Sequence, residues 1–242
     1  MRLGCQNQKI GFGSRGKDMS ERSELKTRRK PGRPKEGVEL RDVILDKAEL
    51  IFSEVGFNGA KVRDIASEAG VNQALVRYYF GSKQDLFDEV VRRRGSVISG
   101  ARHVLLDRLL SADGAPTVEE IVKNYLKPQW DMKYSGPNGA AFVRLQARLH
   151  SELDEHALHL RSEVYDASVK RYIAALCDAL PEIPQEVISI RMAFLVGTYM
   201  FMLSDLGRLN DLTDGQIGEV GQGDMLDHLT AFLSAGLRAP LP

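Results

Sequence analysis

The chain has 242 residues, 43% of them hydrophobic and 27% charged, with 33 Lys plus Arg against 33 Asp plus Glu. That size suits one large or two small domains with a real core, and the composition is ordinary for a soluble globular protein. Cys5 and Cys177 are too few and too far apart for a disulfide framework or metal cluster. No apolar run approaches the roughly 18 residues of a membrane span.

The zero net charge hides a gradient. Residues 1–37 carry 11 Lys/Arg against 4 Asp/Glu, residues 38–100 carry 9 against 10, and the remainder 13 against 19. A basic arm, a near-neutral middle and an acidic C-terminal part fit a protein whose N-terminal end meets a polyanion. The arm, rich in Gly, Ser, Lys and Arg, is expected to be disordered in isolation. It has no apolar segment behind its basic residues, so a secretory signal is not expected and a cytoplasmic location with reduced thiols is. Met19 is a candidate alternative translation start, which the intact mass of native protein settles. Within the arm, Gly32-Arg33-Pro34 resembles the core of an AT-hook, an extended arginine slim enough for a narrow A·T minor groove.

Folded structure is predicted from about Val38. Val43, Ile44, Ala48, Ile51, Phe52 and Val55 recur at three- and four-residue steps, giving an amphipathic first helix that ends at Gly56. Ile65, Ala66 and Ala69 mark a second short helix. Gly70 supplies a left-handed turn, Val71 plugs the corner, and Asn72 is a competent N-cap for a third helix running to Phe80. Two short helices joined in this way form a helix-turn-helix, a device for placing side chains in a DNA major groove. Ser82 caps a fourth helix predicted to continue past Gly95 to about Leu106, linking two domains.

Beyond it, Asp113–Pro116 is a break and Thr117 caps Val118–Tyr125. Ser135–Gly139 is a second break, followed by helices from about Ala140 to His150 and from Asp154 to Leu180. Pro181 and Pro184 flank a turn, Gln185–Leu209 is a long and unusually apolar helix, and Met225–Leu237 is the last. No strand-like alternation occurs, so the predicted class is all-α.

Taken together, Gly56-Phe57, Val62-Arg-Asp-Ile-Ala66, Ala69-Gly-Val71, Tyr78-Tyr-Phe80 and Ser82-Lys-Gln-Asp-Leu-Phe87 resemble the DNA-binding domain of the TetR family of bacterial regulators. The resemblance covers roughly 50 residues and, after the arm over 1–37 expected from composition to be disordered, implies a helix-turn-helix domain over 38–85 and a helical ligand-binding and dimerisation domain over 86–242. It further implies a ligand-responsive regulator, a repressor acting as a homodimer on a palindromic operator, with double-stranded DNA and a small-molecule effector as partners. No membrane partner, cofactor, metal or catalytic activity is expected. An activator or global regulator on the same fold, and a helical interaction protein without DNA binding, remain the alternatives.

Candidate DNA contacts follow residue by residue. Asn72, Gln73, Ala74 and Leu75 open the recognition helix, where Gln73 can pair with adenine and Leu75 with a thymine methyl. Arg77 lies one turn on, able to reach guanine or phosphate. Arg63, Tyr78 and Lys83 are phosphate candidates, and Arg33 a minor-groove one. Lys61 stands where relatives often carry a Ser or Thr cap. Trp130, Phe142, Arg148, Phe194 and Tyr199 are candidates for an effector pocket. Phe194, Gly197, Phe201, Leu229 and Phe232 are candidates for a dimer face on the last two helices. Glu152, His156, His159 and Glu163 share a helical face, where a solvated ion-paired surface is a commoner arrangement than a metal site.

Overall fold

A computed structural model describes residues 37–204, 211–216 and 221–241. The arm with Cys5 and Arg33 lies outside the described residues, as does the expected end of the apolar helix at 205–209. The helices are α1 (Gly37–Gly59), α2 (Val62–Glu68), α3 (Gln73–Phe80), α4 (Lys83–Leu110), α5 (Val118–Tyr134), α6 (Pro137–Ser151), α7 (Glu155–Arg161), α8 (Ala167–Ala179), α9 (Gln185–Ser204) and α10 (Gln222–Leu237). Among the described residues there is no strand, and the fold is all-α.

Local chemistry sets the early helix ends. Gly56 breaks α1 with φ 73° before a last turn to Gly59. α2 closes in a Schellman arrangement: Gly70 adopts φ 68°, Val71 N–H donates to Ala66 O at 2.9 Å and Gly70 N–H to Ser67 O at 3.1 Å. Asn72 Oδ1 then accepts from Leu75 N–H at 2.9 Å, capping α3. A reciprocal Ser82–Asp85 capping box starts α4, and Thr117–Glu120 forms another at α5. Lys61 caps α2 with no side-chain hydrogen bond.

Two hydrophobic clusters form. One gathers Ile44, Phe52, Ile65, Val76, Phe80, Leu86 and Phe87, with Phe87 edge-on to Phe52 and Phe57 at 5.1 and 5.3 Å. It also takes in Leu145 and Leu149 of α6 and Leu160 of α7, so the expected division at residue 85 crosses a shared core. α6 is tied to α1 by Asn138 Nδ2 donating to Asp46 O at 2.9 Å. Glu49, fully buried on α1, accepts from Arg94 and Arg93 of α4 at 2.9 and 3.3 Å. The second cluster packs α5, α8, α9 and α10 around Ile121, Tyr125, Trp130, Phe142, Tyr172 and Tyr199.

The structure extends several predicted elements. α5 runs through Pro128 to Tyr134, not stopping at Tyr125, because Pro128, Trp130 and Met132 are buried and the packing holds the helix together. α6 begins at Pro137, whose fixed φ suits the first helical position. The Asp154–Leu180 helix contains a π turn, Ser162–Asp166, that leans on α4 where Gly95 meets the side chains of Val164 and Tyr165. Residues 185–203 of α9 reach a mean hydropathy of 1.5, long and apolar enough by length and composition to cross a membrane, though 33% of that window is buried within the protomer. That corrects the expectation drawn from uninterrupted runs, since one arginine, Arg191, breaks the run without lowering the average much.

Candidate nucleic-acid interface and internal cavity

α3 presents two unlike faces. Val76 and Phe80 are buried and Tyr79 is partly buried, stacked edge-on against Tyr78 at 5.5 Å. Asn72, Gln73, Ala74, Arg77 and Tyr78 are exposed, Tyr78 to 81%, and Leu75 is half-buried. The sequence-predicted reading residues are therefore brought together on one outward strip, held rigid by the Asn72 cap and by Gly81, whose N–H donates to Arg77 O at 2.8 Å. Arg63 is exposed on α2 and its Nε donates to Asp64 Oδ1 at 3.0 Å. An exposed pair of that kind gives way readily to a phosphate.

Lys83 has a different place from the one expected. Its ammonium donates to the carbonyls of Phe57 and Ala60 at 2.9 and 3.2 Å and lies 4.3 Å from the centre of the Phe57 ring. It thus staples the end of α1 to the start of α4. Lys83 also shares a surface cleft with Arg77 and Ser82.

The effector candidates divide. Trp130, Phe142 and Tyr199 are buried members of the packed core, with the Tyr199 hydroxyl donating to Leu126 O. All three pack within the hydrophobic cluster of the C-terminal helices. Phe194 is 67% exposed on α9. Arg148 lies on the surface of α6, donating to Glu54 O at 3.2 Å beside a cleft of about 290 Å³ that reaches Phe57 and His156.

A larger cavity, about 740 Å³, opens between α4, α6, the α7–α8 run and α9. Its walls include Val169, Ile173, Met192, Val196 and Met200, and its polar lining includes Arg102, Gln146, His150, Arg161, Asp166 and Ser189. Arg102 is 1% exposed. Its Nε donates to Tyr125 O at 2.9 Å, its Nη2 to Gln129 Oε1 at 3.2 Å, and its guanidinium lies 3.7 Å over the Tyr125 ring. Gln129 passes the chain on to Gln146 Oε1 at 2.9 Å. Burial, reinforced by Arg161 and Arg102, lowers the pKa of His150 despite its contact with Gln146 O at 2.9 Å, so it is neutral at pH 7. Sequence reasoning missed Arg102, yet a signal was present: it stands four residues from both Ile98 and Leu106, on the apolar face of α4.

The dimer candidates also divide. Phe194, Phe201 and Phe232 are 67%, 61% and 68% exposed, and Gly197 has open space beside it. Leu229 instead turns inward with Leu226 and Leu233 and belongs to the protomer core. His156 and Glu163 are engaged by Asp88 at 2.8 Å and Arg92 at 2.8 Å, as an ion-paired face. Among the described residues no cluster of metal-ligating side chains occurs.

Comparison with known proteins agrees with this geometry. Residues 44–90 match the family described as bacterial regulatory proteins, tetR family, and residues 123–236 match the tetracyclin repressor-like C-terminal domain. A transcriptional repressor of Pseudomonas putida, NicS, is 34% identical over 98 residues, covering 40% of this chain and 45% of that protein. A probable transcriptional regulator of Bacillus subtilis, YttP, is 41% identical over 54 residues, covering 22% of this chain and 26% of that one. The chain thus spans less than half the length of these curated relatives. A solved TetR-like transcriptional regulator from Rhodococcus sp. RHA1 shares the fold with TM-score 0.59 at 19% identity, covering 83% of this chain and 97% of that one.

Proposed function

Since the chain belongs to the TetR family of bacterial transcriptional regulators, we propose that it is an effector-responsive repressor that binds a palindromic operator as a homodimer in the cytoplasm, without catalysis. The carrying observation is the exposed strip Asn72, Gln73, Ala74, Arg77 and Tyr78 on a capped, rigid helix. We assign residues 38–85 to DNA binding and 86–242 to effector binding and dimerisation, with Arg33 of the arm as a minor-groove contact. The naming of the P. putida relative as a repressor favours repression over activation.

Two helices connect the parts. α4 carries Phe87 beneath the recognition helix and Arg102 at the cavity, about 22 Å apart at a helical rise of ~1.5 Å per residue. α9 offers Met192 and Val196 to the cavity and Phe194 and Phe201 to the outside. An effector that prefers one setting of α4 and α9 changes the spacing of the two recognition helices, and its differential affinity sets the size of the response.

The test is fluorescence anisotropy of the purified dimer with DNA from upstream of its own gene. Saturable, salt-dependent binding with a footprint of two symmetric half-sites is the expected outcome, together with derepression of a reporter on deletion of the gene. Equal, weak binding to that region, to scrambled DNA and to all other genomic fragments removes the operator reading.

A further inference from the structure

We propose that the effector is an organic carboxylate with an apolar body, its carboxylate paired with Arg102 in the cavity between α4, α6, the α7–α8 run and α9. This rests on the reading of the C-terminal part as an effector domain.

A guanidinium 1% exposed is costly to bury unless a counter-charge or a full set of acceptors meets it. Arg102 has neither. Among the described residues no carboxylate lies within ion-pair distance of it, and its two hydrogen bonds go to neutral acceptors, the Tyr125 carbonyl and the Gln129 amide oxygen. Three of the four other arginines on α4, Arg92, Arg93 and Arg94, each meet a carboxylate. The contrast marks Arg102 as a charge kept for something not part of the protomer. Among the described residues Asp166 is the one carboxylate in the cavity wall, and it accepts from Ser162 Oγ at 2.8 Å.

Geometry narrows the class. The Tyr125 ring covers one face of the guanidinium, which leaves in-plane approach for an acceptor, and a planar carboxylate matches a planar fork. Neutral His150 and the Gln146 amide add polar partners without adding negative charge. Val169, Ile173, Met192 and Val196 form an apolar stretch of the wall that suits an apolar body, with Arg161, Ser162, Asp166 and Ser189 as further polar lining, and about 740 Å³ is the size of a typical small-molecule site. Thioether side chains let the cavity adapt to bodies of different shape.

The experiment is calorimetric titration of the full-length protein with octanoate, palmitate and phenylacetate, each beside its primary amide, and with octyl phosphate. At least one acid is expected to bind saturably and roughly 10- to 100-fold tighter than its amide, the factor carried by a charge-assisted hydrogen bond. Arg102→Met is expected to erase that preference. Because Arg102 also holds the Tyr125 carbonyl, a second variant, Val196→Trp, leaves the guanidinium in place and is expected to block acid binding by filling the cavity. No acid binding, equal binding of acid and amide, tighter binding of octyl phosphate, or full acid affinity in Val196→Trp overturns the proposal. Anisotropy with operator DNA separates it from the effector reading. Arg102-dependent acid binding that leaves DNA affinity unchanged sinks the regulatory link and keeps the site. DNA release by a neutral compound, with no acid bound, does the reverse.

Discussion

Phe194→Ala is the most direct trial of the dimer face. Phe194 is 67% exposed in the protomer, so of a side chain and backbone area of about 200 Å² roughly 130 Å² is available to a partner. At about 25 cal/mol per Å² its complete cover is worth ~3 kcal/mol, of which alanine keeps about a third. A two-fold axis places the substitution on both sides, doubling the loss to about 4 kcal/mol, or roughly a thousandfold in the dimer dissociation constant. Phe201, 61% exposed seven residues on, and Phe232 on α10 sit in comparable exposure, so each is expected to give a loss of similar size. Sedimentation velocity across a dilution series reads the constant, with circular dichroism as the check on the protomer. Helical signal is expected to persist, since Phe194 contributes little to the protomer's own core. DNA affinity is expected to fall at low protein concentration and recover at high concentration. A dissociation constant within about threefold of the unsubstituted protein for both Phe194→Ala and Phe201→Ala refutes the assignment of this face.

Arg77→Ala is expected to weaken operator binding by about 1–3 kcal/mol without altering the urea midpoint, because the side chain is exposed; unchanged anisotropy removes it from the reading set. Lys83→Met is expected to do the opposite in emphasis, lowering folding stability by about 1–2 kcal/mol through loss of its bonds to Phe57 O and Ala60 O. Full stability with lost DNA binding contradicts that structural role. Asn72→Ala removes the cap on the Leu75 N–H and is expected to cost about 1 kcal/mol in urea denaturation; no change refutes the cap as a stabilising contact. Glu119, bonded to Arg238, has its pKa lowered from 4.5 to about 2. A depressed folded-state value means its contribution is complete above the unfolded pKa and is lost as pH falls through about 2. Both side chains are more than a third exposed, so the contribution is below about 1 kcal/mol. Arg238→Gln is expected to differ from the unsubstituted protein by that amount at pH 7 and to converge with it in acid; a gap that persists in acid refutes the linkage.

What the sequence revealed and what it concealed follow one physical line. Helix ends governed by neighbours in the chain were legible. Asn72, Ser82 and Thr117 are caps because their side chains reach donors three residues away, and Gly70 is a turn because it alone needs no Cβ clearance at φ 68°. The exposed strip of α3 was legible for the same reason, a short helix having only two faces. Features settled by distant packing were not. α5 passes Pro128 beneath a core drawn from α4 and α9, with the carbonyls of Tyr125 and Leu126 taken by Arg102 and Tyr199. Glu49 is fully buried on α1 because Arg93 and Arg94, more than forty residues away in the chain, supply its partners. Trp130, Phe142 and Tyr199 are buried in the core, because a large apolar side chain gains most where no space is left. The cavity is marked by the opposite property: a charge on an apolar helical stripe that the protomer leaves without a counter-charge. For the proposed effector site, a single arginine between Ile98 and Leu106 is a better sequence guide than any of the rings, since apolar surface is satisfied by any neighbour and a buried guanidinium only by an acceptor.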